Sequence, residues 1–484
     1  MDEKNSSVKK NIAYDTFYRI LSTLTPFVTA PYVARVIGAE GIGIQSYTQS
    51  IQSYFIMFAS LGTAMYGSRE VARKRDDKGD TSQLFWEIEL LCCFTTLICF
   101  IAYIPLIVCS VNYSEIYLVL SLGVIGTALD ISWFYTGLEK FKSLVKRNTA
   151  VKVAEVVLLF LLVKSSDDLI IYISISSFTS FFCVISYWVG LPKLINKPKW
   201  RTLKVLRHLK GTLVFFIPSI ASSIYLMLDK PLLEWITKDS SELGYYQQAQ
   251  KFVDVLKSIV FVSINSVVGV RMSNLFAHDE KDTIKNNFKE SLNYIFFMGF
   301  GCVFGLSGIA KNLVPLFFGP GYDKVIPLIY LFSPIVIIIG ISNCLEMQYF
   351  TPCGRRVESI HYLVVGAITN LTCNVLLIPY FKAFGATFAT LLAEGIITLL
   401  YIKNSKNFIS YREIVCIGYK KLIAGVIMFI PVFYLGKIGL NIVVTLSIQI
   451  VSGVAVYTFV LWVLHDEWLI SFVSVMLKKI KRKV

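Results

Sequence analysis

Apolar runs of about 20 residues, separated by short polar gaps, recur from one end of the 484-residue chain to the other. A helix of that length rises about 30 Å, the thickness of a bilayer's hydrocarbon layer. Hydropathy predicts about fourteen such spans. They fall near 12–37, 42–66, 85–110, 115–137, 149–164 and 168–190. After a basic connector come 213–236, 243–270, 291–313, 325–347, 359–379 and 381–402, then 419–437 and 441–464. The expected fold class is an all-α polytopic membrane protein of about 14 transmembrane helices.

Charge gives the spans a direction. The even-numbered gaps and the tail hold Arg69, Arg73, Lys74, Arg75 and Lys78; Lys140, Lys142, Lys146 and Arg147; Arg355 and Arg356; Lys403, Lys406 and Arg412; and Lys478–Lys483. The odd-numbered gaps hold little, for example Lys238, Lys324, Lys382 and Lys437. Basic loops stay on the cytoplasmic side, so both termini are expected there, in a cytoplasmic membrane. The short gaps exclude a large external catalytic domain and a cytoplasmic nucleotide-binding fold. A net charge of +15 would suggest nucleic acid in a soluble protein. Only 16% of residues are charged, against about 25% in soluble domains, and the cations sit beside apolar spans. They read as topology determinants and contacts to anionic lipid, with no nucleic acid as partner.

The ten Cys lie mostly inside spans and form no CxxC pair, so they read as small buried hydrophobes. No zinc-protease, phosphate-loop or serine-hydrolase signature appears, and no metal site or catalytic residue is expected. The N-terminal MDEKNSSVKK has no cleavable signal pattern.

The connector from Leu191 to Gly211 carries Lys193, Lys197, Lys199, Arg201, Lys204, Arg207 and Lys210. Leu203, Leu206 and Leu209 recur on it every third residue, which predicts a helix lying in the interface. It separates two sets of six spans that echo each other. Gly43 and Gln49 in EGIGIQSYTQ align with Gly244 and Gln250 in SELGYYQQAQ. Phe134-Tyr135-Thr136-Gly137 after span four echoes Tyr349-Phe350-Thr351-Pro352 after span ten. An even number of spans per copy makes this a parallel repeat with a cleft between lobes. The expected organisation is an N-terminal lobe (1–190), the connector (191–212), a C-terminal lobe (213–402), and two further spans with a basic tail (403–484).

Four segments, Val33–Ile51, Glu242–Phe252, Pro315–Tyr322 (PLFFGPGY) and Gly385–Gly395 (GATFATLLAEG), resemble the Wzx-type polysaccharide biosynthesis flippases. These belong to the multidrug/oligosaccharidyl-lipid/polysaccharide exporter superfamily, and the resemblance covers nearly the whole chain. It implies a MATE-like, two-lobed, V-shaped transporter. Such a protein would move an undecaprenyl-diphosphate-linked oligosaccharide repeat unit to the outer leaflet by alternating access, for O-antigen, capsule or a related polymer. Spans thirteen and fourteen would be peripheral, and polymerase and chain-length proteins would be partners.

Ionisable residues inside spans are expensive and therefore functional candidates. Asp15 and Arg19, Lys152 and Glu155, Asp229, Lys230 and Glu234, and Lys251, Asp254 and Lys257 stand at helical spacings. Asp130 and Glu346 lie toward span ends, and Glu394 stands alone in span twelve. A lipid diphosphate calls for a cationic cavity, so Arg19, Lys152, Lys230, Lys251 and Lys257 are the candidate substrate-binding residues. The alternative is local neutralisation, since each has an acid within one turn. Glu394, Asp254 and Asp229 are candidates for H⁺ or Na⁺ coupling, with no other cofactor expected. Gln49, Tyr245, Tyr246 and Gln250 are candidates for sugar contact, with interfacial anchoring as the other reading of the tyrosines. Pro26, Pro31, Pro218, Pro327 and Pro334 are expected to kink their spans. Two rivals remain: a drug or small-cation exporter on the same scaffold, which would want an acidic cavity, and a membrane glycan polymerase, which would want a long outer loop.

Overall fold

The computed structural model describes residues 2–277, 281–471 and 474, with side chains except at 2–20, 23, 24, 218, 219, 221–226, 262–277 and 281. The side chains of Asp15, Arg19 and Pro218 therefore lie outside the described residues. Among the described residues the structure is helical, with no strand. The chain divides into two compact units, 1–231 and 232–484.

The first unit holds α1 (Asp2–Ser60), α2 (Thr63–Lys74), α3 (Lys78–Cys109), α4 (Ser114–Thr127), α5 (Ser132–Gly137), α6 (Phe141–Leu162), α7 (Leu169–Trp188) and α8 (Leu209–Met227). Helix α9 (Asp229–Thr237) straddles the boundary. The second holds α10 (Ser240–Ala277), α11 (Lys281–Phe318), α12 (Val325–Phe332), α13 (Ile335–Leu345), α14 (Arg356–Asn404), α15 (Tyr411–Leu435) and α16 (Ile442–Val463). Eight helical stretches among the described residues are long and apolar enough to cross a bilayer.

The longest helices are each two helices in line. Gly38 breaks α1 with φ 77°, ψ 176°, and Lys382 breaks α14 with φ 49°, ψ −125°. The first break falls in the gap between the expected spans 12–37 and 42–66, and the second falls at the start of the expected span 381–402. At Gly38 nothing crowds the absent Cβ, so glycine is needed there for its dihedral freedom alone. Span four is interrupted where no break was expected. Helix α4 ends at Thr127, residues 128–131 are non-helical, and α5 resumes at Ser132.

The two echoed tetrapeptides lead into the same turn, although the first lies in α5 and the second begins in a π-helical turn, Glu346–Phe350. Glu139 (φ 58°) and Gly354 (φ 73°) are both left-handed. The Glu139 and Lys140 N–H groups donate to Thr136 O (3.0 Å) and Tyr135 O (2.9 Å). Those of Gly354 and Arg355 donate to Thr351 O (3.1 Å) and Phe350 O (2.8 Å). Each is a Schellman helix stop, closed by the same bonds in the same register.

The connector is not a continuous helix. Three short 3₁₀ turns, Leu191–Lys193, Trp200–Thr202 and Val205–His208, form a strap against α3. Asn196 N–H donates to Ser82 Oγ (2.9 Å), Trp86 Nε1 to Asn196 O (3.0 Å), and Gln83 Nε2 to Thr202 O (3.3 Å). Leu203 is extended (φ −73°, ψ 129°), which breaks the helical register of the leucines at its first member. The strap and α8 pack with the first unit.

In the second unit α15 and α16 pack on α11, with Gly425 against Phe304 and Gly308 against Val432. Lys421, 2% exposed, locks this arrangement. Its Nζ donates to Asp466 Oδ2 (2.8 Å) and Asn293 Oδ1 (2.8 Å), joining α15 to α11 and to the chain after α16.

Candidate functional site

Helices α1, α6 and α7 enclose a cavity of about 60 Å³, where Thr25, Thr29, Lys152, Glu155, Tyr172 and Ser176 meet apolar Pro26, Val156, Leu159 and Ile175. The spacing of three residues puts Lys152 and Glu155 on one face of α6, where Nζ meets Oε2 at 2.9 Å. Both side chains are half-buried. The ammonium has three donors, and Glu155 takes one. On its other side Lys152 borders an apolar groove of about 250 Å³ formed with Leu21, Val28, Val153, Val156 and Val157. The place thus combines a cation, hydroxyls and an apolar wall, which suits the headgroup end of an acidic amphiphile.

The other candidates are more dispersed. Lys257 pairs with Asp254 at 3.2 Å on α10, again the local neutralisation that the sequence allows. Asp229 is buried at the start of α9, with Lys230 beside it, and both are engaged in interactions. Lys251 on α10 and Glu394 on α14 are engaged as well. Glu394 is buried, but it is not the solitary acid its sequence neighbours suggest.

Gln49 is half-buried on α1, its carbonyl accepting from Ser53 Oγ (2.7 Å). Tyr245 meets the Tyr322 ring edge-on at 6.0 Å, with Lys324 Nζ 5.7 Å from its own ring. Lys324 in turn holds buried Glu242 at 2.6 Å. That hydrogen bond keeps the ammonium above the usual lysine range. Lys382 bridges Asp239 (3.3 Å) and Glu242 (3.7 Å). Tyr246 is buried, with its ring against Phe332 at 5.5 Å. Gln250 Oε1 is buried without a hydrogen-bond partner. So are both amide atoms of Gln248, which the sugar-contact set leaves out.

The inventory of intramembrane charges also passes over Glu87, Glu89 and Lys421, although all three fall inside expected spans. Glu87 is fully buried and fully used. It accepts from Gln83 Nε2 (2.9 Å), Lys204 N–H (2.9 Å), His208 Nε2 (2.7 Å) and Arg207 Nη2 (2.5 Å). Tyr66 O–H then donates to His208 Nδ1 (2.8 Å), which fits the neutral ring with its proton on Nε2. Burial holds the His208 pKa below the ordinary histidine value, against the pull of Glu87. Glu89, two residues on, is 3% exposed, and its Oε1 has no hydrogen-bond partner. An acid pair two residues apart in FWEIELL was the available signal.

Bilayer-length helices carrying paired and buried charges define a multi-pass membrane protein of the transporter class. The family model described as polysaccharide biosynthesis protein matches residues 8–276, and the chain belongs to that family. It is 25% identical to a protein named as an O-antigen transporter in Escherichia coli strain K12, over 84% of this chain and 99% of that one. It is 24% identical to a protein of Haloferax volcanii named as a low-salt glycan biosynthesis flippase, over 62% of each chain. Among solved structures it resembles the lipid II flippase MurJ in an inward closed conformation. The TM-score is 0.73 and the identity 15%, covering 94% of this chain and 99% of that one. An inward-facing multidrug transporter of the MATE family aligns with TM-score 0.59 at 10% identity, over 82% and 95%. The chain shares its fold with these two transporters.

Proposed function

We propose that this protein flips a lipid-linked oligosaccharide, an undecaprenyl-diphosphate repeat unit, across the bacterial cytoplasmic membrane. It makes about fourteen crossings with both termini inside and works by alternating access of its two units. The observation that carries this reading is the Lys152 cavity, where a cation borders an apolar groove inside a transporter fold. A diphosphate on a long lipid needs both, since its charge cannot enter hydrocarbon unaided. The relatives named as O-antigen transporters and as a glycan flippase support the substrate class. Lys230, Lys251, Lys257 and Arg19 are the further candidates for phosphate contact, and Gln49, Tyr245, Tyr246 and Gln250 those for sugar contact. With no nucleotide-binding motif in the sequence, the driving force is an ion or substrate gradient, with Glu394, Asp254 and Asp229 as coupling candidates. Polymerase and chain-length proteins are the partners that would consume the product.

The test is leaflet accessibility of a lipid-linked oligosaccharide in proteoliposomes. Wild type should expose it to an external lectin, and Lys152→Ala should slow this about tenfold, the loss of one charge-assisted contact. If wild type moves no glycolipid but extrudes an organic cation, the scaffold is right and the substrate is wrong.

A further inference from the structure

Glu89 points from α3 toward the interrupted stretch of span four. Cys92 and Cys93, one turn on, send their thiols to the carbonyls of Thr127 (3.5 Å) and Ala128 (3.7 Å), so α3 lies directly on that break. Facing Glu89 from the break are the Asp130 carboxyl and the Trp133 indole N–H. Asp130 Oδ1 accepts from Ser132 N–H at 2.9 Å, which fixes the acid where α5 begins. Trp133 is held rigid, stacked on Phe85 at 5.7 Å and seated against Gly67, where a Cβ would come within 2.5 Å of the ring. Yet its Nε1, on a side chain only 4% exposed, has no hydrogen-bond partner either.

Three polar groups thus converge with an acceptor and a donor both unused. Among the described residues, no Lys, Arg or His pairs with Glu89. Of the cations in this unit, Arg207 is spent on Glu87, and Arg147 lies over the Tyr135 and Tyr187 rings. An ionised carboxylate buried without a cation beside a second carboxyl is strongly disfavoured, and the group relieves this by taking a proton. Irregular backbone inside a membrane is tolerated where it serves a buried site, and transporters place ion sites at such breaks.

We propose that Glu89 is a proton-binding site of the first unit, with Asp130 as the second carboxyl and Trp133 as the donor that receives the ionised form. On release the O–H bond of the acid breaks and its electron pair stays on the carboxylate. The proton leaves to water, and the Trp133 Nε1–H that already faces the acid donates to the freed oxygen. A sodium ion fits less well, because it wants several oxygens. Among the described residues, no group of three His, Cys, Asp or Glu is placed to hold a metal ion. That this proton drives transport rests on the flippase reading; that Glu89 binds it does not.

The full chain in lipid nanodiscs allows a direct test by infrared difference spectroscopy against pH, with tryptophan emission followed in parallel. Wild type should show the carbonyl band of a protonated acid that disappears as pH rises, together with an emission change. Glu89→Gln should lose both. Trp133→Phe should keep the band and lose the emission change. Asp130→Asn, which removes the neighbouring charge, should move the midpoint down by on the order of one pH unit. A band unchanged in Glu89→Gln overturns the proposal. So does a band that sodium removes at constant pH, which would make the site a cation site. The band can be present while no glycolipid is flipped, and then the proposed function fails while the proton site stands.

Discussion

On α3, Glu87 and Glu89 are two residues apart, and both are buried. Two steps of a helix turn about 200°, so they serve opposite faces. Glu87 faces the strap and meets a guanidinium, a neutral imidazole N–H, a side-chain amide and a backbone N–H. Glu89 faces the break in span four and meets another acid and an idle indole N–H. Burial is equal; compensation is not. A compensated buried charge fixes structure, whereas an uncompensated one must change its protonation state when its surroundings change. The first acid therefore belongs to the architecture and the second to the mechanism.

Isosteric amides separate the two most sharply. Glu87→Gln removes the charge that Arg207 and the strap are built around and should destabilise the protein by about 3 kcal/mol. Arg207 is nearly half exposed, which keeps the cost at the low end for a buried pair. Thermal unfolding of the detergent-solubilised chain reads this directly. Glu89→Gln replaces a neutral acid by a neutral amide and should shift stability by less than about 1 kcal/mol. Equal losses in the two variants would mean that Glu89 is ionised and paired in a way the contrast denies.

The contrast also shows what a sequence makes legible. The break at Gly38 falls between the runs 12–37 and 42–66, and that at Lys382 within two residues of the start of the run 381–402, because hydropathy drops there. The repeat was readable because a Schellman stop constrains a short local segment. Lys152 and Lys257 with their acids were readable because a helix places residues three apart together. What stayed hidden depends on distant partners. Glu87 and His208 are separated by 121 positions, and nothing near either announces the other. The break at 128–131 leaves the apolar run 115–137 uninterrupted, so hydropathy passes over it. The strap was read as a helix from its leucines, although α3 side chains had already claimed its backbone partners. Tyr246 and Tyr245 are neighbours in sequence, but one packs on Phe332 and the other reaches Lys324, a difference no local pattern carries.

The smallest effect comes from His208, which ties the architectural acid to solvent pH. Its ring is buried and held neutral, with Glu87, Arg207 and Glu70 the charges that face it. Because its folded pKa lies below the ordinary value near 6.5, the unfolded or detached strap binds more protons in the window below that value. Stability contributed by the neutral ring is therefore present above about pH 6.5 and declines as pH falls through and below it. One proton limits the slope to about tenfold in the opening equilibrium per pH unit. Hydrogen exchange at the Lys204 amide, which donates to Glu87, reports that opening. Protection should weaken between about pH 7 and pH 5.5 in wild type. His208→Gln keeps a donor toward Glu87 but has nothing to titrate, so its protection should lose this slope. A slope that survives in His208→Gln would move the titration to another group and leave the strap insensitive to histidine.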